Sequence, residues 1–171
     1  KNRLFPADPT TAKLASELFR LVENIPIISP HGHTDARWFS ENNAFENPTD
    51  LFVTPDHYVY RMLISQGIEL NSIGLSPFGV IDKLKSKKDI WKVFAANYYL
   101  FQGTPTRLWL NYVFENLFGL NVPLNSETAE MYYEVIDASL KTPEFRPRAL
   151  FKKFNIEVLS TTDSPIDDLQ A

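Results

Sequence analysis

The first apolar pattern along the chain has helical spacing. Asp8 or Thr10 can accept hydrogen bonds from the free N–H groups at the start of this helix. Pro26 ends it, because proline lacks an N–H and disfavours a helical residue before it. The stretch Ile27–Ser29 is short, β-branched and continuous, which predicts a strand buried on both faces in an α/β architecture with parallel pairing. The apolar stripe of the helix consists of Leu14, Leu18, Leu21, Val22 and Ile25.

The middle of the chain, over residues 36–155, shows helical patterns and loops without a convincing strand. One helix is expected to have Thr54 as its N-cap and to end at Gly67. Residues 104–119 repeat this Thr-Pro start and glycine stop around a segment that is apolar on most sides, which predicts a buried helix. Ser126 and the glutamates after it predict another helix start. A further helix carries one apolar stripe, formed by Ile90, Phe94, Tyr98 and Phe101.

The last element of the chain is a second strand. Ile156, Val158 and Leu159 supply its apolar pattern, and Asp163 and Pro165 close it. Two parallel strands do not make a stable fold alone, because a parallel sheet needs both faces covered. The layout therefore predicts the front portion of a larger protein. Its expected segments are a helix with the first strand (1–35), a helical region (36–154), and the second strand with the start of the next segment (155–171).

Composition is that of an ordinary globular protein. Hydrophobic residues make up 44% and charged residues 22% of the 171 residues, which is enough apolar chain for a sizeable core. The net charge of −4 gives no electrostatic footprint for nucleic acid or an anionic membrane. No apolar run approaches the roughly 20 residues that cross a bilayer. Because cysteine is missing, any metal must be held by histidine and carboxylate oxygen.

Two of the three histidines, His31 and His33, lie one residue apart just after the first predicted strand. Alternate residues of a strand point to the same side, so both imidazoles should project together from backbone positions about 6.6 Å apart. They lie at the carboxyl end of the strand, where α/β folds build active sites, and Gly32 adds no bulk between them. The pattern predicts half of a metal site whose other ligands come from elsewhere. The alternative is two histidines in a polar loop that bond water or a carboxylate.

Several segments of the chain resemble the uronate isomerases (glucuronate isomerases) of the amidohydrolase superfamily. The segment around His31 and His33 is similar to the first barrel strand of that superfamily, which ends in His-x-His. The family's Asp-His-Tyr-x-x-Arg-x-Met segment resembles PDHYVYRMLISQGI, its Gly-Asn-Pro-x-x-x-Trp stretch resembles GTPTRLWL, and its second strand, ending Thr-Thr-Asp-Asp-Pro, resembles IEVLSTTDSPIDDL. The resemblance implies the N-terminal part of a metal-dependent-hydrolase-type (β/α)8 barrel. A large helical insertion would then separate its first two strands.

The resemblance also implies roles for particular residues. His31 and His33 would be ligands of a divalent metal, with zinc as the expected ion. Tyr58 matches a tyrosine that the family places at its active site, for binding or proton transfer. Arg61 matches a recurrent arginine that can pair with the substrate carboxylate. Asp163 would contact substrate from the rim of the barrel, although a turn cap before a proline is an equal interpretation.

The remaining family positions give weaker expectations. Without the resemblance, Tyr58 is best interpreted as a packed aromatic and Arg61 as a solvated cation. His57 is either a third polar group near the site or a structural residue. The family often has His-Trp-x-His around Trp109, whereas Leu and Asn flank it here, so this stretch is not expected to contribute to the site. Gly32 stands where the family often has cysteine or asparagine.

The activity implied by the resemblance is aldose–ketose isomerisation of a uronate. D-Glucuronate or D-galacturonate would exchange with its keto isomer through loss of the C2 proton, an enediol and return of a proton at C1. A metal would orient the substrate and stabilise oxyanion charge. The expected partner is thus a small uronate sugar, without nucleic acid or membrane. The protein itself is expected to be a cytoplasmic homo-oligomer.

A complete (β/α)8 barrel needs roughly 250 residues, so further metal ligands, a catalytic carboxylate and arginines are expected beyond Ala171. The 171 residues alone are therefore expected to be inactive. Two rival functions stay open at this point. One is a metal-dependent hydrolase of the same superfamily, in which a metal-activated water attacks an amide or ester. The other is a non-catalytic helical interaction module in which the two histidines are incidental.

Overall fold

A computed structural model describes residues 4–76, 86–164 and 166, which form two compact units. The first, here called the strand unit, lies within residues 1–43 and 147–171, and the second, the helical unit, lies within residues 44–146. In chain order the elements are α1 (Pro9–Val22), β1 (Ile27–Ser29), α2 (Ala36–Glu41), α3 (Pro48–Phe52), α4 (His57–Ser65), α5 (Lys87–Ala96), α6 (Pro105–Phe118), α7 (Ala129–Leu140), α8 (Pro147–Lys153) and β2 (Ile156–Leu159), with short 3₁₀ helices at Leu70–Ile73, Tyr98–Phe101 and Pro143–Phe145.

β1 and β2 form a parallel pair, as predicted, with Ile28 opposite Val158. The pairing continues one residue beyond β2, where the Ser160 N–H donates to the carbonyl of Ser29, the last residue of β1, at 3.0 Å. The prediction of a strand buried on both faces is wrong, since Ile28 is 64% exposed and Val158 45%. A two-stranded sheet presents both faces, and the described residues leave much of its apolar surface uncovered. The predicted apolar stripe of α1 is likewise more than half exposed at each position.

Arg148, in the first turn of α8, holds α2 and α8 together inside the strand unit. Its Nε donates to the Phe39 carbonyl at 2.6 Å and its Nη2 to the Ser40 carbonyl at 2.9 Å. These carbonyls belong to the last turn of α2, where a cation is favourable for the helix dipole. The rings of Phe39 and Phe151 meet edge to face at 5.9 Å between centroids. The two helices are thus joined by both polar and apolar contacts.

The helical unit is built around aromatic side chains of α5. Trp91 and Phe94 are fully buried, and the indole Nε1 of Trp91 donates to the Ala129 carbonyl of α7 at 2.8 Å. This bond satisfies the indole N–H, which is why a tryptophan can lie in the core. The predicted stripe of four residues is confirmed as core, although α5 ends at Ala96 and the last two members belong to the 3₁₀ helix Tyr98–Phe101.

A part-buried polar cluster joins α3 to the start of α5. The Asp50 carboxylate accepts hydrogen bonds from Lys87 Nζ at 2.8 Å, Asn47 Nδ2 at 2.7 Å and Thr54 Oγ1 at 3.0 Å. Partial burial acts to raise the pKa of Asp50, but these hydrogen bonds outweigh it and hold the pKa below its ordinary value of 3.8. The ionised carboxylate therefore stabilises this corner of the helical unit at neutral pH.

Several predicted helix details are corrected by the structure. Thr54 does not cap α4, because its hydroxyl is buried in the cluster around Asp50. The N-cap is Asp56, whose carboxylate accepts from the Tyr58 N–H at 2.8 Å. The helix predicted to start at Ser126 begins at Ala129. The boundaries of α6 are as expected, but the helix is not buried on most sides, since Trp109 is 61% exposed.

The described residues are mostly helical and contain one small parallel sheet, with helices between its two strands in the chain. This agrees with the coarse layout predicted from the sequence. Over the same residues, no helix is both long and apolar enough to cross a membrane.

Candidate functional site

The imidazoles of His31 and His33 converge in the strand unit. β1 ends at Ser29, so both histidines lie in the segment after the strand rather than on it. Their Nε2 atoms are 2.9 Å apart, and the rings are inclined at 74° with centroids 4.9 Å apart. Both side chains are exposed. The two Nε2 atoms, each of which can carry a lone pair, therefore approach one another at the carboxyl end of β1.

This arrangement is compatible with two chemical states. Either one Nε2–H donates to the other Nε2, or both nitrogens present lone pairs to a cation. Two nitrogens bound to one tetrahedral zinc ion at about 2.1 Å each lie about 3.4 Å apart, so the two Nε2 atoms, 2.9 Å apart here, would separate by about 0.5 Å to bind it. The described part of the chain contains no group of three His, Cys, Asp or Glu side chains that could hold a metal ion. The donor set here is thus two imidazoles.

The backbone around the histidines is fixed by close packing against the segment after β2. A Cβ at Gly32 would lie 2.9 Å from the Ser160 carbonyl oxygen and 3.3 Å from a methyl group of Leu159. Only glycine allows this approach without a shift of backbone. The Ser29 hydroxyl also donates to the His31 carbonyl at 3.0 Å. Gly32 therefore leaves space for the segment that follows β2 and begins at Ser160, here called the tail.

Thr162 connects this tail to His31. Its hydroxyl donates to the Gly32 carbonyl at 2.8 Å and lies 3.4 Å from His31 Nδ1. No local sequence pattern points to this contact, because Thr162 lies 131 positions after His31 in the sequence. The one available signal was that parallel strands end at the same edge, so that the residues after β1 and those after β2 must be neighbours.

Two further polar residues come after the histidines. The Thr34 hydroxyl is buried and has no hydrogen-bond partner among the described residues. The Asp35 carboxylate caps α2 by accepting from the Arg37 N–H at 2.9 Å. Asp35 is thereby committed to the start of a helix, whereas the hydroxyl of Thr34 is unexplained by the contacts around it.

Asp163 belongs to the same unit as the two histidines and is exposed. Its Oδ2 accepts a hydrogen bond from the Thr161 hydroxyl at 2.6 Å. A carboxylate has two oxygens that each accept more than one bond, so Asp163 retains acceptor capacity beyond this contact. The structure thus places it in the segment after β2, and its predicted contact with substrate stays a prediction.

Tyr58 and Arg61 belong to α4 of the helical unit and lie three residues apart on that helix. Residues at this spacing are neighbours on one helix face. Both side chains are exposed, Tyr58 by 62%. The rings of His57 and Tyr58 lie 4.2 Å apart between centroids and are tilted by 33°. Three groups able to donate hydrogen bonds therefore lie in the first turns of α4.

The helical unit also contains a cleft that the sequence did not reveal. It has a volume of about 320 Å³, and its polar lining includes Arg107, Asn111, Glu115 and Tyr132. The first three recur every four residues along α6, a spacing that places them on one face. Arg107 is already engaged, since its Nη1 donates to the Tyr98 carbonyl at 2.7 Å and its guanidinium lies 3.9 Å from the centre of that ring.

Tyr98 and Tyr132 border the same region of the helical unit. Burial raises the pKa of both phenols, while the nearby Arg107 acts in the opposite direction. The Tyr98 hydroxyl donates to Asn111 Oδ1 at 2.9 Å, and the Tyr132 hydroxyl donates to the Val122 carbonyl. Both phenols are therefore neutral at physiological pH, and their contacts hold the described structure together.

Comparison with known proteins gives a consistent result. The family described as "Glucuronate isomerase" matches residues 9–171. Relatives named uronate isomerase are 51% identical over 169 residues in Xanthomonas euvesicatoria pv. vesicatoria and 48% identical over 169 residues in Phenylobacterium zucineum. Both alignments cover 99% of this chain, which spans only 36% and 35% of the length of those relatives.

Two solved structures are also similar. The crystal structure of glucuronate isomerase from Caulobacter crescentus matches with a TM-score of 0.92 and 49% identity, over 99% of this chain and 35% of that one. Uronate isomerase from Thermotoga maritima matches with a TM-score of 0.79 and 29% identity, over 92% of this chain and 33% of that one. The sequence resemblance is thereby confirmed, and the chain belongs to the glucuronate isomerase family.

Proposed function

We propose that the protein carrying this chain is an aldose–ketose isomerase of D-glucuronate or D-galacturonate, and that His31 and His33 hold a divalent metal for it. The observation that carries the metal-binding part of the proposal is the 2.9 Å separation of the two Nε2 atoms at the end of β1. Family membership supports the reaction type. The hydrolase and interaction-module alternatives have no comparable support.

Two imidazoles suit zinc, which we propose as the metal, with further ligands contributed by residues other than those described. A metal bound here would supply Lewis-acid stabilisation of the oxyanion that forms when the C2 proton leaves. We further propose that β1 and β2 are the first two strands of a (β/α)8 barrel and that the helical unit is an insertion between them. The carboxyl ends of such strands are where barrel enzymes place their sites.

Tyr58 and Arg61 are proposed to act on the substrate from the start of α4. The Tyr58 hydroxyl can donate or return a proton at the C1–C2 enediol, because a phenol both donates and accepts hydrogen bonds. The Arg61 guanidinium can bind the uronate carboxylate through two parallel N–H···O bonds. Asp163 is proposed to accept a hydrogen bond from a substrate hydroxyl through the carboxylate oxygen that Thr161 does not occupy.

The role of Tyr58 is tested by comparison with a second exposed tyrosine of the helical unit. Tyr58→Phe should lower kcat by about 10²–10⁴-fold, the usual loss when a positioned acid or base is removed. Tyr112→Phe is the matched control, because Tyr112 is 65% exposed and Tyr58 62%. The assay monitors conversion of D-glucuronate and of D-galacturonate by the purified protein that carries this chain.

Three results would count against the proposal, the last of them from the same assay applied to the isolated chain. Equal kcat for the two tyrosine variants would remove Tyr58 from the reaction. Failure to isomerise either uronate, with hydrolysis of an ester or amide substrate instead, would overturn the isomerase proposal itself. Turnover by an isolated chain of 171 residues, confirmed by intact mass, would contradict the proposal that residues outside this chain complete the site.

A further inference from the structure

We infer that Thr162 is a positioning residue that holds the His31 ring with its proton on Nδ1, so that Nε2 is free to bind the metal. The inference rests on the proposed metal site, and it goes beyond that site because it assigns a role to the segment after β2. Neither the family match nor the spacing of the histidines implies this role.

The direction of the hydrogen bonds is set by what each group can donate. The Thr162 hydroxyl has one hydrogen, and the Gly32 carbonyl at 2.8 Å can only accept. The hydroxyl hydrogen is therefore used on Gly32, and an oxygen lone pair is left towards His31 Nδ1 at 3.4 Å. A favourable contact at that position requires Nδ1 to be the donor. In a neutral imidazole with the proton on Nδ1, Nε2 carries the lone pair.

This tautomer is the one that the geometry of the site needs. His31 Nε2 faces His33 Nε2 at 2.9 Å, so a metal between the imidazoles would be approached through the Nε2 atoms. Histidines that bind metal generally donate their other N–H to a neighbouring acceptor, which fixes the ring and its tautomer. Thr162 Oγ1 lies where such an acceptor is required.

The packing of Gly32 makes the contact possible. Because Gly32 has no Cβ, the Ser160 carbonyl can lie so close to Gly32 that it would clash with the Cβ of any other residue. The tail that begins at Ser160 then runs beside His31, and Thr162 is placed two residues further on. Thr161, the residue before it, directs its hydroxyl to Asp163 at 2.6 Å instead. Two adjacent threonines therefore have different partners, which provides a matched control.

The experiment uses the purified protein that carries this chain, as wild type and as Thr162→Val, Thr162→Ser and Thr161→Val. The dissociation constant of Zn²⁺ is measured by competition with a chelating dye. The tautomer of His31 is measured in the metal-free protein by ¹⁵N NMR at about pH 8.5, where an ordinary imidazole is neutral. Circular dichroism checks folding, and Thr162→Ala repeats the loss of the hydroxyl if the valine variant does not fold.

We expect Thr162→Val to weaken Zn²⁺ binding by about 10–100-fold, the usual effect of removing such a partner, and to lower the population of the Nδ1–H tautomer. Thr162→Ser should restore both quantities because it keeps the hydroxyl, and Thr161→Val should leave them unchanged. The inference is overturned if Thr162→Val matches the wild type, or if Thr161→Val has the same effect as Thr162→Val. A wild type that binds no Zn²⁺ refutes the proposed metal site, while the tautomer measurement, made without metal, still decides the role of Thr162.

Discussion

The two units of the molecule differ in where their apolar side chains lie. In the helical unit, Trp91, Phe94 and Ile136 are fully buried in a core shared by several helices. In the strand unit, Pro147 is the one buried residue among those described, and the isoleucines of β1 are exposed by 49% and 64%. Both units have strongly apolar sequences. Among the described residues, only the helical unit buries most of its large apolar side chains.

The candidate metal ligands and the large apolar core therefore lie in different units of this chain. The converging histidines and the acceptor at Thr162 belong to the unit with little buried surface. The large aromatic core belongs to the unit whose predicted site residues, Tyr58 and Arg61, lie on an exposed helix face. Burial of apolar area is the main favourable term in folding. Substitutions of buried residues in the helical unit should therefore act on stability, whereas substitutions near the histidines should also act on metal binding.

The largest expected effect is on the core of the helical unit. Trp91→Ala removes a fully buried ring and the hydrogen bond that its indole donates to the Ala129 carbonyl, so we expect a loss of about 3–5 kcal/mol in the free energy of unfolding. Trp109→Ala is the control, since Trp109 is exposed on α6, and should change that free energy by less than about 0.5 kcal/mol. Urea denaturation monitored by circular dichroism measures both. Equal losses would show that the core is not where the structure places it.

A smaller effect is expected at Gly32. Gly32→Ala forces the Cβ against the Ser160 carbonyl, and relieving that contact should cost about 1–3 kcal/mol and weaken metal binding. Gly103→Ala is the matched change in the helical unit. Its φ of +81° makes alanine strained, at a cost of about 1 kcal/mol, but nothing lies within 4 Å of the new Cβ. Denaturation and Zn²⁺ titration together separate the two variants. Unchanged metal affinity in Gly32→Ala would argue against close packing at the histidines.

The smallest expected effect concerns acid sensitivity of the helical unit. Asp50 has a lowered pKa, so its stabilising contribution is present above its ordinary pKa of 3.8 and is lost as the pH falls through the folded-state value. Asp50→Asn should cost about 1 kcal/mol at pH 7, because the pair with Lys87 is partly exposed, and the difference from wild type should shrink below about pH 4.

A double-mutant cycle sharpens the acid-sensitivity prediction. Lys87→Met removes the partner of Asp50 but keeps the Lys87 carbonyl, which accepts from Thr49 at 2.6 Å. The double variant should lose less than the sum of the two single losses, as expected for groups in contact. A difference between wild type and Asp50→Asn that is constant from pH 7 to pH 3 would contradict the assignment.

Local sequence signals predicted those helices and strands whose ends are determined by neighbouring residues in the sequence. The strand Ile27–Ser29 and the ends of α6 were correctly placed, because β-branched runs, a Thr-Pro start and a glycine stop act on their own neighbours. Thr54 does not act as the predicted cap because its hydroxyl donates to Asp50, a partner that tertiary packing supplies. The predicted burial of α6 is wrong at exposed positions such as Trp109, because apolar composition does not tell which faces of a helix contact a neighbour.

The candidate site was predictable only in part for the same reason. The spacing of His31 and His33 was sufficient to predict that their side chains converge. The contact with Thr162 depends on the pairing of β1 with β2, so no local pattern contains it. The sequence predicts only that Gly32 adds no bulk between the imidazoles, whereas in the structure the Ser160 carbonyl lies against the position that a Cβ would occupy.

The proposed metal site is tested most directly by the metal content of the purified protein that carries this chain. Inductively coupled plasma mass spectrometry would compare wild type with His31→Ala/His33→Ala and with His57→Ala, which removes the remaining histidine of the sequence. We predict that wild type and His57→Ala retain a divalent metal and that the double variant loses it while its circular dichroism spectrum is unchanged. Equal metal content in wild type and the double variant would contradict the assignment of His31 and His33 as metal ligands.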